Sequence, residues 1–63
     1  MNFRLKSKIY AVFPTQADFA AATNIHESRL SRIVRGREAP TAAEAKRICT
    51  VLQADPGDLF NNA

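Results

Sequence analysis

The chain has 63 residues, with nine Lys or Arg against six Asp or Glu and a formal charge of +3. A domain near 60 residues buries only about 60% of its unfolded surface, so the core is thin and a large enzyme with an enclosed substrate pocket is excluded. At 46% apolar and 24% charged residues the composition is that of a folded globular protein, and the single Cys49 cannot close an internal disulfide, which predicts a reducing, cytoplasmic setting.

Arg4, Lys6 and Lys8 precede an apolar run from Ile9 that Pro14 cuts short. An export signal needs about 7 to 15 apolar residues there, and no stretch approaches the ~20 that cross a bilayer. Neither a leader nor a membrane anchor is expected, and with no repeat or flexible linker residues 1–63 read as one unit. Leu5, Ile9, Val12 and Phe13 share one helical face opposite Arg4 and Lys8, which predicts a first amphipathic helix over Phe3 to Phe13, begun near Asn2. Pro14 disfavours helical geometry at Phe13, and Thr15 with Asp18 has the spacing of a capping box, so a second helix should start at once.

That second helix, Gln16 to about Thr23, is rich in alanine, with Phe19 as its large apolar side chain. Asn24 follows, and asparagine tolerates the left-handed backbone of a turn better than any residue but glycine. From Glu27 to Arg35 a third helix places Leu30, Ile33 and Val34 on one face and Ser28, Ser31, Arg32 and Arg35 on the other; Gly36 closes it. After a polar loop from Arg37 to Pro40, Thr41 and Glu44 repeat the capping-box spacing ahead of Ala45, Ile48, Cys49 and Leu52, the apolar face of a fourth helix. Asp55 as N-cap, Pro56 at the first helical position and Asp58 in the first turn open a short fifth helix carrying Leu59 and Phe60. No segment supports a strand, so the fold class is all-α.

The charge is not spread evenly. Residues 1–37 hold seven basic and two acidic side chains, net +5, whereas residues 38–63 hold two basic and four acidic, net −2. One basic face suits polyphosphate, because neutralised phosphates release condensed counterions; solvated surface is the plain alternative. If Leu30, Ile33 and Val34 are core, then Ser28, Ser31, Arg32 and Arg35 project outward, with His26 and Glu27 at the exposed N-terminal end. Arginine can donate two hydrogen bonds to guanine, glutamate can accept from cytosine, and serine or histidine can serve either edge.

The run Thr15-Gln16-Ala17-Asp18-Phe19-Ala20, then Asn24 and Ile25, then Leu30-Ser31-Arg32-Ile33 with Gly36-Arg37, resembles the helix-turn-helix domain of the phage repressor and Cro family, also called the Xre family. Pro40, the Ile48 to Leu52 segment and the Asp55-Pro56-Gly57-Asp58-Leu59-Phe60 finish are similar to its last two helices. The resemblance implies a compact five-helix, lambda-repressor-like domain whose helices two and three form the helix-turn-helix. It implies a small prokaryotic or phage transcriptional regulator, acting as a repressor, with the third helix in the major groove of a palindromic double-stranded DNA operator and a homodimer as the bound form. By the same resemblance Glu27, Ser28 and Arg32, with Arg29 alongside, fall at base-reading positions. Gln16, His26, Ser31, Arg35 and Arg37 fall where phosphates run. The exposed ends of the fourth and fifth helices, with Leu59 and Phe60, are the expected dimer contact.

Three departures from the family pattern stand out. Asn24 replaces the usual turn glycine, and His26 takes a cap position where Ser or Thr is common, which predicts a less firmly held start to the third helix. Many members pair an Arg in the first helix with a Glu before the closing glycine; here those positions are Ile9 and Val34. Replacing both halves of a buried ion pair by apolar residues is often neutral or stabilising, whereas replacing one strands a charge. The two should meet in the core.

An enzyme is not expected: the chain has one His, one Cys and no glycine-rich loop, and nothing converges into a nucleophile with its base. No metal, cofactor or small-molecule substrate is implied, and Cys49, on an apolar face, reads as an inert core thiol. A membrane-surface role for the first helix conflicts with its use in packing. The rival reading is a protein-interaction module on the same fold, such as an antitoxin whose main partner is a toxin. Retention of Gln16, Arg32, Arg35 and Arg37 favours DNA, since an interaction module has no use for that outward basic set.

Overall fold

Five helices form from the predicted segments in a computed structural model that describes residues 1–60: α1 (Phe3–Val12), α2 (Gln16–Thr23), α3 (Glu27–Val34), α4 (Ala42–Leu52) and α5 (Pro56–Phe60). Among the described residues there is no strand. Each helix starts where a side chain can take up its first free N–H groups. Asn2 Oδ1 accepts from the Leu5 N–H at 3.0 Å, Thr15 Oγ1 from Asp18 at 3.1 Å, and Asp55 Oδ1 from Gly57 at 2.8 Å. At α4 the box is complete: Thr41 Oγ1 accepts from the Glu44 N–H and Glu44 Oε1 from the Thr41 N–H. At α2 it is half a box. Asp18 is one methylene shorter than glutamate, and its carboxylate accepts from the Thr15 hydroxyl at 2.9 Å rather than from the backbone.

The core is built by Leu5 and Ile9 of α1, Phe19 and Ala20 of α2, Ile25 in the turn, Leu30, Ile33 and Val34 of α3, Ile48, Cys49 and Leu52 of α4, and Leu59 of α5. Burying a Leu, Ile or Phe stabilises by about 1.5 to 3 kcal/mol, so these residues, with Val34, Ala20 and Cys49, must offset the chain entropy of the domain. Ile9 and Val34 are both buried, on helices that pack against each other. Burial also raises the pKa of the Cys49 thiol. The buried Thr23 hydroxyl donates back to the Phe19 and Ala20 carbonyls, both at 3.1 Å, so it carries no unmet bond into the core.

Two expectations about the apolar faces need correction. Val12 lies on the stripe of Leu5 and Ile9 yet is 55% exposed. The helix ends there, and the extended backbone at Phe13 turns that ring onto Phe19, centroids 5.3 Å apart, leaving Val12 at the rim. Leu59, expected at a dimer contact, is 5% exposed and belongs to the core, and Phe60 is half-buried against it. A short helix with no other large apolar side chain has to spend both on docking.

Asn2 ties three elements together. Besides capping α1, its N–H donates to the Val34 carbonyl at 2.8 Å and its Nδ2 to the Leu59 carbonyl at 2.6 Å. The end of α3 is thereby fixed against the start of α1. Gly36 sits just beyond at φ +77°, and the N–H groups of Gly36 and Arg37 return to the Ile33 and Arg32 carbonyls, both at 3.0 Å. A left-handed residue at this point satisfies the last carbonyls of a helix.

Candidate nucleic-acid interface

Between α2 and α3 the chain reverses within three residues. Asn24 adopts the left-handed conformation (φ 57°, ψ 35°), and its neighbour Ile25 is buried while donating to the Ala20 carbonyl at 3.2 Å. The alanines of α2 leave room for this tight return. His26 does cap α3, contrary to the expected weak start. Its Nδ1 accepts from the Ser28 N–H at 3.2 Å and lies 2.8 Å from the Ser28 hydroxyl, so the imidazole fills the role usually taken by a side-chain oxygen.

Leu30, Ile33 and Val34 are all buried, and the opposite face of α3 is open. Glu27, Ser28, Arg32 and Arg35 are exposed, as are His26 before the helix and Arg37 after it; Ser31 is half-buried. Gln16 is half-buried at the first position of α2, where free N–H groups cluster. The outer face of α3 therefore carries most of the sequence-derived set, with Gln16 at the start of α2.

Arg29 is the exception among the expected base-reading residues. Its guanidinium turns back along the domain: Nε and Nη2 donate to the two oxygens of Glu44 at 3.2 and 2.9 Å, Nη2 also to the Ala39 carbonyl at 3.1 Å, and Nη1 pairs with Glu38. The fork geometry of arginine matches the planar carboxylate, which the capping box already holds in place. Arg29 thus locks α3 to the start of α4 and is not free to reach a base edge. Glu38 also forms an ion pair with Arg32, whose Nε lies 3.1 Å from Glu38 Oε1. Neither carboxylate was singled out as an Arg29 partner from the sequence. Glu44 was legible as half of a capping box, but its second partner is fifteen residues away, beyond any local pattern.

These contacts shift the acids downward. The Arg32 hydrogen bond holds Glu38 below the usual carboxylate range, and the Arg29 fork with the Thr41 N–H brings Glu44 from 4.5 to about 2. Glu44 prefers to be ionised in the folded chain, so its contribution is complete above its ordinary value and is lost as pH falls between 4.5 and about 2. Solvent screening at the rim keeps the network's contribution to stability small. Urea unfolding at neutral pH and within that window should show wild-type stability falling with acid, and Glu44→Gln starting lower and falling less. Equal acid losses in both proteins would place the acid sensitivity elsewhere.

The chain gives no significant match to a curated protein or to a solved structure. Residues 11–61 match the sequence model of the Cro/C1-type HTH DNA-binding domain, a span that takes in α2, the turn, α3 and α4. With its left-handed Asn24 turn, buried Ile25 and outward polar face on α3, the chain belongs to the Cro/C1-type helix-turn-helix DNA-binding domain family.

Proposed function

We propose that this domain binds double-stranded DNA sequence-specifically, with α3 in the major groove, as the DNA-reading part of a repressor acting in a prokaryotic or phage-infected cytoplasm. The observation that carries this is the division of α3: every large apolar side chain is buried, and Glu27, Ser28 and Arg32 stand on a face that no other element covers. Arg32 is the donor to guanine, Glu27 the acceptor from a cytosine amino group, and Ser28 an adaptable contact. Gln16, His26, Ser31, Arg35 and Arg37 hold phosphates and set the register. Arg29 leaves the reading set, because its donors are taken by Glu44, Glu38 and Ala39.

A single helix reads few base pairs, so the operator is a palindrome bound by a twofold dimer, with half-sites about 34 Å apart. Selection from random duplex DNA, followed by footprinting of the enriched site, tests the reading. The expected result is an enriched inverted repeat protected as two symmetric half-sites. An enriched single half-site saturated at a 1:1 ratio would remove the dimer, and no enrichment over random sequence would remove specific binding altogether.

A further inference from the structure

Glu38 sits in the loop after α3, where its N–H reaches the Arg32 carbonyl at 3.4 Å and the neighbouring Arg37 N–H reaches the same oxygen at 3.0 Å. The loop is therefore folded back on the last turn of the helix. From there Glu38 Oε1 lies 3.1 Å from Arg32 Nε as an ion pair, while Oε2 is paired with Arg29 Nη1. Arg29 is itself held by both oxygens of Glu44, and Glu44 by the Thr41 N–H. A continuous chain of charge-assisted bonds thus runs from the cap of α4 to the one arginine on the outer face of α3 that Glu38 touches.

The side chains of Arg32 and Glu38 are 47% and 40% exposed, and an ion pair that open to water contributes little to stability. Its effect lies in orientation. With Nε engaged, the guanidinium cannot swing freely, and its two terminal nitrogens remain available to donate side by side to a guanine edge. A side chain already held loses less freedom when it binds. The carboxylate also carries a negative charge towards the phosphate side, which weakens binding to every duplex alike.

We propose that Glu38 is a positioning residue for sequence discrimination: it buttresses Arg32 in the orientation that reads a base pair and, by its charge, lowers affinity for all other DNA. This rests on α3 being the reading helix. Glutamine can still accept from Arg32 Nε but carries no charge, whereas alanine can do neither, so the two substitutions separate the effects.

The experiment titrates wild type, Glu38→Gln, Glu38→Ala, Arg32→Ala and the Glu38→Ala/Arg32→Ala double variant against the selected operator and a scrambled duplex, with thermal melts of each. Glu38→Gln should tighten binding to both duplexes by a similar factor of several-fold and keep most of the discrimination. Glu38→Ala should tighten binding to the scrambled duplex and reduce the operator-to-scrambled ratio by roughly tenfold, a fraction of what a bidentate pair supplies. The double variant should discriminate no worse than Arg32→Ala alone. If Arg32→Ala loses discrimination and Glu38→Ala does not, the buttress is wrong and the reading of α3 stands. If Arg32→Ala keeps its discrimination, both fall. Additive losses in the double variant, or a Glu38→Ala protein that is unfolded at the assay temperature, would make Glu38 a structural tie and overturn the proposal.

Discussion

Arg32→Ala is expected to lower affinity for the preferred operator by about 1 to 3 kcal/mol and to relax the choice at a single base pair, a guanine, because a bidentate donor is lost. Arg37→Ala should behave differently. It lies beyond the end of α3, past Gly36, and is proposed to meet a phosphate rather than a base edge. Its loss should weaken all duplexes nearly equally and flatten the dependence of log K on log salt by roughly 0.9 for each phosphate contact removed. Titrations of both variants on operator and scrambled duplex at several salt concentrations make the comparison. Equal losses on both duplexes for the two variants would mean that α3 positions the domain without reading sequence.

A second large effect is expected in the core. Val34→Glu alone should destabilise by about 1 to 3 kcal/mol, since the side chain is buried in the apolar core, where a carboxylate is costly to place. The end of α3 cannot easily shift to relieve it, because the Val34 carbonyl is bonded to the Asn2 N–H at 2.8 Å. Ile9 is buried on α1, the helix facing it. Adding Ile9→Arg should recover part of the loss, restoring the charged pair that other members of the family carry at these positions. Denaturant unfolding of the two single variants and the double variant measures the coupling. Strictly additive energies would show that the two side chains do not meet.

The DNA-binding assignment was accessible from the sequence because its carriers are local. The left-handed turn at Asn24, the caps at Asn2, Thr15 and Thr41, and the closing Gly36 each depend on the residue and its near neighbours. The buried set of α3 followed from its periodicity alone. Local signals were not complete even so: Gln53 ends α4 at φ 53°, a left-handed cap that its residue type does not announce.

What the sequence determined by itself is the all-α class, the order of five helices and the outward face of the third, since caps and apolar spacing act over a turn or two of chain. What only the tertiary structure decided is where those faces meet. Periodicity marks Val12 as part of an apolar stripe but cannot say that α1 ends there and Phe13 turns inward in its place, nor that Leu59 is consumed by the core. It cannot assign Arg29 to Glu44 and Glu38, because long charged side chains choose partners across folded loops nine or fifteen residues away, nor give Arg32 the company of Glu38. The division between the arginine that locks α3 to α4 and the arginines left on the outer surface is therefore made by packing, which sets which carboxylate lies within reach of each guanidinium.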